Sequence, residues 1–210
     1  MKIENRLPGL LRIVALEYHE IAVRDAGELS GFIAAELPVL RLALSGGLPP
    51  GYGLTRRLYR SAGMDPTRHR PSSEALWRRL RDRSDFPAVS PLVDLTNFLS
   101  LKFQVPYGLY DIDTLSGDLQ VVLGGPSDRY LGIRKEELSG NGRIVLKDEV
   151  GVCGNPSADS RRTCVDGSTR RLLQVIYLHP LQPAPESLAQ ETLGLYTRFF
   201  TCSPAAPRIL

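Results

Sequence analysis

Between Ile13 and Val23 the apolar positions Ile13, Val14, Leu16, Tyr18, Ile21 and Val23 are β-branched or aromatic and broadly alternate with polar ones. That pattern predicts one or two short strands. From Glu28 to Leu44 the period lengthens: Leu29, Phe32, Ile33, Leu37 and Leu40 recur at helical spacing, with Pro38 expected to kink or divide the helix. The glycine- and proline-rich stretch Gly46 to Gly53 reads as a loop, followed by a short helix from Thr55 to about Ala62 that Gly63 stops. Ser72, Ser73 and Glu74 start the next helix, which runs to about Arg83. Serine suits free N–H groups and glutamate suits the positive end of the dipole. Ser90-Pro91 opens a further helix, in which Leu92, Leu95, Leu99 and Phe103 form one apolar stripe that ends at Pro106.

Beyond Tyr107 the pattern turns to strands: Leu119 to Leu123, Arg143 to Lys147, Val150 to Cys153 and Leu172 to Leu178, separated by turns such as Ser139-Gly140-Asn141-Gly142. Pro183 and Pro185 mark a linker, and Glu186 to Phe200 reads as a final amphipathic helix. Helices early and strands late predict an α+β fold. A chain of 210 residues fits one domain with enough core to need no metal or disulfide staple.

Composition adds little beyond this, because a formal net charge of +3 selects no partner. The distribution of charge says more. From Arg56 to Arg83 nine arginines (56, 57, 60, 68, 70, 78, 79, 81 and 83) face three acids (65, 74 and 82), a local excess of about +6. Such a segment suits phosphate, since the guanidinium fork bonds it in pairs, and Arg56, Arg57, Arg70, Arg78 and Arg79 are the RNA-contact candidates. The alternative is a solvated helix face. Trp77 and Tyr59 are either stacking platforms for bases or core anchors.

Cys153, Cys164 and Cys202 show no metal-binding spacing, and His19, His69 and His179 stand in no ligand or triad pattern. Neither a metal nor a cofactor is expected, and the thiols are expected to be free, as in a reducing compartment. The N-terminal run lacks the features of a signal peptide and no window is apolar enough for a membrane span, so a cytoplasmic protein without membrane contact is expected.

Two stretches carry a family likeness. Asp65 to Leu76 (DPTRHRPSSEAL) and Pro91 to Leu115 (PLVDLTNFLSLKFQVPYGLYDIDTL) resemble the B3/4 editing domain of the phenylalanyl-tRNA synthetase beta subunit and its stand-alone relatives, with Asp94, Thr96, Asn97, Pro106, Asp111 and Asp113 in place. Gly151 to Gly154 resembles the domain's glycine-rich strand and turn, and Thr169 to Leu178 its last core strand. The likeness covers about residues 55 to 180. It divides the chain into an N-terminal strand-and-helix extension (1–50), a B3/4-like part (51–182) and a C-terminal helix and tail of the same unit (183–210).

The resemblance implies a β-rich core, a β-sandwich of unusual topology with helices around it. It also implies a pocket for an amino acid or aminoacyl ester beside Thr96, Asn97, Tyr107, Gly108, Gly151, Gly154 and Thr163. The implied partner is tRNA or aminoacyl-tRNA, and the implied activity is trans-acting hydrolysis of a mischarged tRNA, the chemistry used where a binding pocket cannot itself reject a near neighbour. The chain departs from the family at two positions. Gly108 stands where the bacterial editing site has a histidine, and Leu173-Gln174-Val175 lacks the glutamate of the last core strand.

Other readings stay open at this point. A chain that kept the pocket and lost the chemistry would bind an amino acid or nucleoside without turning it over. A protein-interaction module would present Tyr196, Phe199 and Phe200 on its last helix. Asn97 is either a ligand contact or a tie between helix and loop. Asp111 and Asp113 are either a carboxylate pair or turn residues before Ser116-Gly117, the latter favoured. The polar loop NPSADSRRT, with Ser157, Asp159, Ser160 and Thr163, borders the pocket mouth or is simply solvated.

Overall fold

The computed structural model describes residues 1–83 and 86–210, the side chain of Arg83 excepted. In chain order the elements are β1 (Ile3–Asn5), β2 (Arg12–Val23), α1 (Ala26–Ala43), α2 (Pro50–Ser61), α3 (Ser72–Arg83), α4 (Pro91–Phe103), β3 (Tyr107–Asp111), β4 (Leu119–Leu123), β5 (Arg129–Leu131) and β6 (Glu137–Ser139). They continue with β7 (Ile144–Lys147), β8 (Val152–Asn155), β9 (Ala158–Asp159), β10 (Leu172–Leu178), α5 (Pro185–Phe199), β11 (Phe200–Pro204) and β12 (Arg208–Ile209). One sheet has the order β1-β4-β7-β8-β9, the other β11-β2-β10-β3 with β12 also on β2, and β5-β6 forms a separate hairpin.

The layering follows from side-chain period. Along β10 every residue is buried, as in a strand covered on both faces. Leu173, Val175 and Tyr177 join Ile13, Ala15, Val121 and Leu146 in the core between the two sheets. Leu172, Ile176 and Leu178 face the other way, into a core with Leu95, Phe98 and Leu99 of α4 and Leu188, Tyr196 and Phe199 of α5. The molecule is therefore an α+β sandwich of two sheets whose second sheet carries a helical layer on its outer face.

The segment expected as an N-terminal extension supplies the middle strand of that second sheet. β2 is one twelve-residue strand, not two short ones, and pairs antiparallel with β10 from Leu172↔Tyr18 to Leu178↔Arg12. Pro38 leaves α1 continuous, because Pro38 and Ala34 are both on the exposed side, where water can serve the freed carbonyl. The loop expected through Gly53 ends at Pro49, since Pro50 starts α2 at a position where its missing N–H costs nothing. Gly51 is needed there: its N–H donates to the Gln104 side chain (2.9 Å), and a Cβ would come within 2.6 Å of Gln104 Cβ.

The aromatic residues at the end of α5 and the start of β11 are core. Tyr196, Phe199 and Phe200 are at most 1% exposed, with Tyr196 stacked between Tyr18 and Phe200, so they do not form the docking face considered above. Trp77 and Tyr59 are buried anchors rather than stacking platforms; the Trp77 indole N–H donates to the Leu44 carbonyl (3.0 Å).

Candidate functional site

A cavity of about 550 Å³ opens between α3, α4, β3 and the β8-β9 hairpin, with the tip of β5-β6 at its rim. Helical period builds two of its walls. Ser72, Ala75, Leu76 and Arg79 line it from α3, and Val93, Thr96, Asn97 and Ser100 from α4; each set is spaced i, i+3, i+4, i+7 and so lies on one helix face. Strand period supplies the floor, Tyr107 and Leu109 of β3, while Asn155, Ser157, Ala158 and Asp159 close the far side. The lining is mainly apolar and the volume is that of ordinary ligand sites.

Of the polar groups in the lining, most are already spent. Thr96 Oγ1 donates to the Leu92 carbonyl, lies 2.6 Å from Tyr196 Oη and accepts from Gln174 Nε2 (3.2 Å); Gln174 Oε1 in turn accepts from Tyr18 Oη. Tyr107 Oη shares a hydrogen bond with Thr192 (2.9 Å), and burial holds its phenol well above the usual range. Ser100 donates to Val105, and Ser157 bonds Tyr59 (2.8 Å). Asn155 Oδ1 accepts from the Ser157 and Ala158 N–H groups, an Asx turn that folds the hairpin back over the cavity. Among the described residues the Asn97 amide makes no hydrogen bond to protein and remains available to a ligand.

Asp159 is the second available group. Its Oδ2 accepts from the Leu109 N–H (3.3 Å) on the edge of β3 away from β10, which ties the edges of the two sheets together. Asp159 is half-buried and belongs to the cavity lining. Burial pushes its carboxyl up to about 7, against the smaller opposing pull of the Leu109 N–H and the Tyr110 hydroxyl. No arginine or lysine pairs with it among the described residues.

Of the residues expected at the pocket, the structure brings Thr96, Asn97 and Tyr107 together on its walls. Gly108 is one residue out of phase: a Cβ there would point into the sheet-sheet core and meet the Tyr110 ring at 2.8 Å. Gly151 lies in the β7-β8 turn beside a different surface hollow, with Arg129 and Arg162. Thr163 is fully buried, its hydroxyl donating to the Cys153 carbonyl (2.9 Å). Gly154 serves the pocket from beneath, because a Cβ would come within 2.8 Å of both Asp159 Oδ1 and Tyr110 Oη. Asp111 and Asp113 are structural: Asp111 accepts from the Asp113 N–H and from Thr169 (2.7 Å), and Asp113 pairs with Arg171.

The basic segment is less uniform than its sequence. Arg56 and Arg78 both bond Glu74, whose carboxylate is fully buried and braces α2 against α3, a task beyond the dipole role expected for it. Arg78 and Arg81 also lie over the Trp77 ring. Arg57 and Arg70 are exposed, and Arg79 stands at the cavity, joined across the opening by Arg134 of the β5-β6 hairpin. Sequence reasoning passed over Arg134 and gave Asp159 no role of its own. The turn signal Asn155-Pro156-Ser157 was the one available hint, since a tight hairpin there returns Asp159 toward the strand before it.

A smaller hollow of about 230 Å³ beside β2 and Pro91 offers less, as Asp166 is occupied by Ser168 and Arg170 by the Gly167 and Thr169 carbonyls. Among the described residues no group of acidic, histidine or cysteine side chains could hold a metal ion, and no helix is long and apolar enough to cross a membrane.

An apolar cavity with a few convergent polar groups thus lies between a helical layer and the edge of a sandwich, in an α+β domain. Residues 54–184 match the family model of the B3/4 domain, and the chain belongs to that family. It is similar to the phenylalanine–tRNA ligase beta subunits of Shewanella oneidensis (30% identity over 131 residues, 58% of this chain) and Psychrobacter arcticus (27% over 109 residues, 50% of this chain). The chain spans only 16% and 13% of the length of these relatives. A solved N-terminal fragment of the phenylalanyl-tRNA synthetase beta subunit from Pyrococcus horikoshii aligns with 97% of this chain and 54% of its own length, at a TM-score of 0.47 and 12% identity.

Proposed function

We propose that this domain receives the aminoacylated 3′ end of a tRNA in the α3/α4/β3 cavity and acts on it in trans as a deacylase. The observation that carries this reading is the cavity itself: apolar walls for an amino-acid side chain, the uncommitted Asn97 amide and the Asp159 carboxyl within, and Arg79 and Arg134 at the opening. Asn97 would hold the α-amino or carbonyl group, and the arginines the terminal phosphates. Exposed Arg57 and Arg70 extend the basic surface along α2 and the α2–α3 turn, while Arg56 and Arg78 act through their fixed place on Glu74. Membership of a family whose relatives are tRNA ligase subunits supports the same substrate class.

A second reading, binding of an amino acid or nucleoside without turnover, is favoured by one observation. Thr96 and Gln174 are engaged with each other and with two buried tyrosines, so neither is free for chemistry. One experiment separates the two: binding and ester hydrolysis are measured on a panel of mischarged tRNAs, tyrosine on the phenylalanine acceptor included. The deacylase reading expects turnover above the spontaneous rate, with binding weakened about tenfold in Asn97→Ala. Saturable binding of free amino acids or nucleosides, with charged tRNA left intact, would replace it by the second reading.

A further inference from the structure

Within the reading of this cavity as an aminoacyl-ester site, the described lining holds no histidine, and a side chain at position 108 would point away from the cavity. A base must therefore come from elsewhere in the lining. Cys164 is excluded as a nucleophile, since burial, Asp159 and Asp166 all hold its thiol protonated at neutral pH. Cys153 lies outside the lining, in the sheet core, with its thiol pushed up to about 12. The lining hydroxyls of Thr96, Ser100, Tyr107 and Ser157 are engaged with protein partners, and that of Ser72, a neutral hydroxyl, is no base. Asp159 is the one carboxyl among the described lining residues, and no arginine or lysine among them pairs with it.

We propose that Asp159 is the general base, and then the general acid, of aminoacyl-ester hydrolysis in this cavity. Its carboxylate takes a proton from a water molecule as the water oxygen attacks the ester carbonyl carbon. The bond from that carbon to the ribose oxygen then breaks, and the ribose oxygen leaves with the proton that Asp159 returns. One water is consumed, and a free amino acid and an uncharged tRNA end are released. Two structural features suit the group to this role. The hydrogen bond from the Leu109 N–H fixes one carboxyl oxygen, and Gly154 beneath leaves room for the carboxyl to pack down against β8. Burial also places its titration where both protonation states are populated at neutral pH, which a proton shuttle needs.

The groups facing Asp159 do not titrate with it. Tyr110 on β3, Tyr130 on β5 and Tyr177 on β10 are phenols raised well above their usual range by burial, and Cys164 stays a thiol. Arg79 and Arg134 at the opening remain cationic throughout. A pH profile of the reaction should accordingly report one group.

The test is single-turnover hydrolysis of a mischarged tRNA by wild type, Asp159→Asn and Asp159→Glu between pH 5 and 9, with the spontaneous rate subtracted and folding checked by thermal melting. The expected wild-type rate rises to a plateau with a midpoint near 7. Asp159→Asn should lose about 100-fold or more in rate while its affinity for charged tRNA stays within about threefold, and Asp159→Glu should recover part of the rate. Asp159→Asn turnover within a few-fold of wild type, or a loss confined to affinity, overturns the assignment and leaves the deacylase reading standing. A wild type with no turnover overturns both. The wild-type pH profile decides the matter even if a variant fails to fold, since a rate without the ascending limb near 7 excludes this base.

Discussion

Two aspartates near the β7-β8-β9 ribbon are treated in opposite ways by the fold. Asp148, in the turn before β8, has a fully buried side chain and is saturated: Arg162 donates to both its oxygens (2.9 and 2.8 Å), and the N–H groups of Ser116, Val150 and Gly151 donate as well. Burial alone would raise its pKa, but these partners outweigh burial and hold the carboxyl below the usual value. Asp159, in β9, receives one backbone N–H and the Tyr110 hydroxyl but, among the described residues, no cation, and burial wins, raising it to about 7. The same residue type thus becomes a structural rivet in one place and a reactive group in the other. Neutralisation, not burial, decides which.

The largest effect expected from breaking this contrast is on Asp148. Arg162→Ala leaves a buried carboxylate without its cation and should cost about 3 kcal/mol at pH 7, measured by urea unfolding. A carboxyl with a depressed folded pKa contributes stability above its unfolded pKa and loses it as pH falls through the folded value. The penalty of Arg162→Ala should therefore shrink below pH 4, where the unfolded chain is protonated too.

Gly154→Ala comes next. Its Cβ would meet Asp159 and Tyr110, so the hairpin must shift, at a cost of about 2 kcal/mol and with loss of the cavity's ligand response in a thermal-shift assay.

A smaller and opposite effect is expected of Asp159→Asn. A carboxyl whose folded pKa is raised loses stability as pH climbs from the unfolded value, near 3.8, to the folded value near 7. The amide should raise the melting temperature by about 2–4 °C at pH 8 and leave it nearly unchanged at pH 4. An equal shift at both values would mean that Asp159 is as well compensated as Asp148.

The smallest effect belongs to the rim. Arg134→Ala should change stability by less than about 0.5 kcal/mol, yet lower the dependence of tRNA binding on salt by about one counterion.

Helices α1 and α4 were legible in the sequence because each carries a periodic apolar stripe, and α3 because of its serines and first-turn glutamate, whereas the first turn of α2 read as loop. Thr96, Asn97 and Tyr107, expected beside a pocket from the family resemblance, lie in one segment from α4 to β3 that lines the cavity. Short strands such as β1, β9 and β11 were not, because three or fewer alternations leave no period to detect and their pairing is set by distant partners. Gly108 shows how fine the limit is. A one-residue phase on β3 separates the cavity face of Tyr107 and Leu109 from the core face of Tyr110. The Asp159 environment exists only after the hairpin folds onto β3, so a polar stretch such as NPSADSRRT reads as solvated until that contact is known.

The position of β2 has a consequence for synthesis. Its Arg12 pairs with Leu178, and its remaining edges are taken by residues Phe200 to Pro204 and Arg208 to Ile209. At ordinary translation rates the ribosome needs roughly 10–30 s to travel from β2 to β10. Throughout that interval a twelve-residue strand rich in valine, isoleucine and leucine has helices α1 and α4 to pack on but none of its strand partners, so its backbone edges stay unpaired until the last fifth of the chain is made.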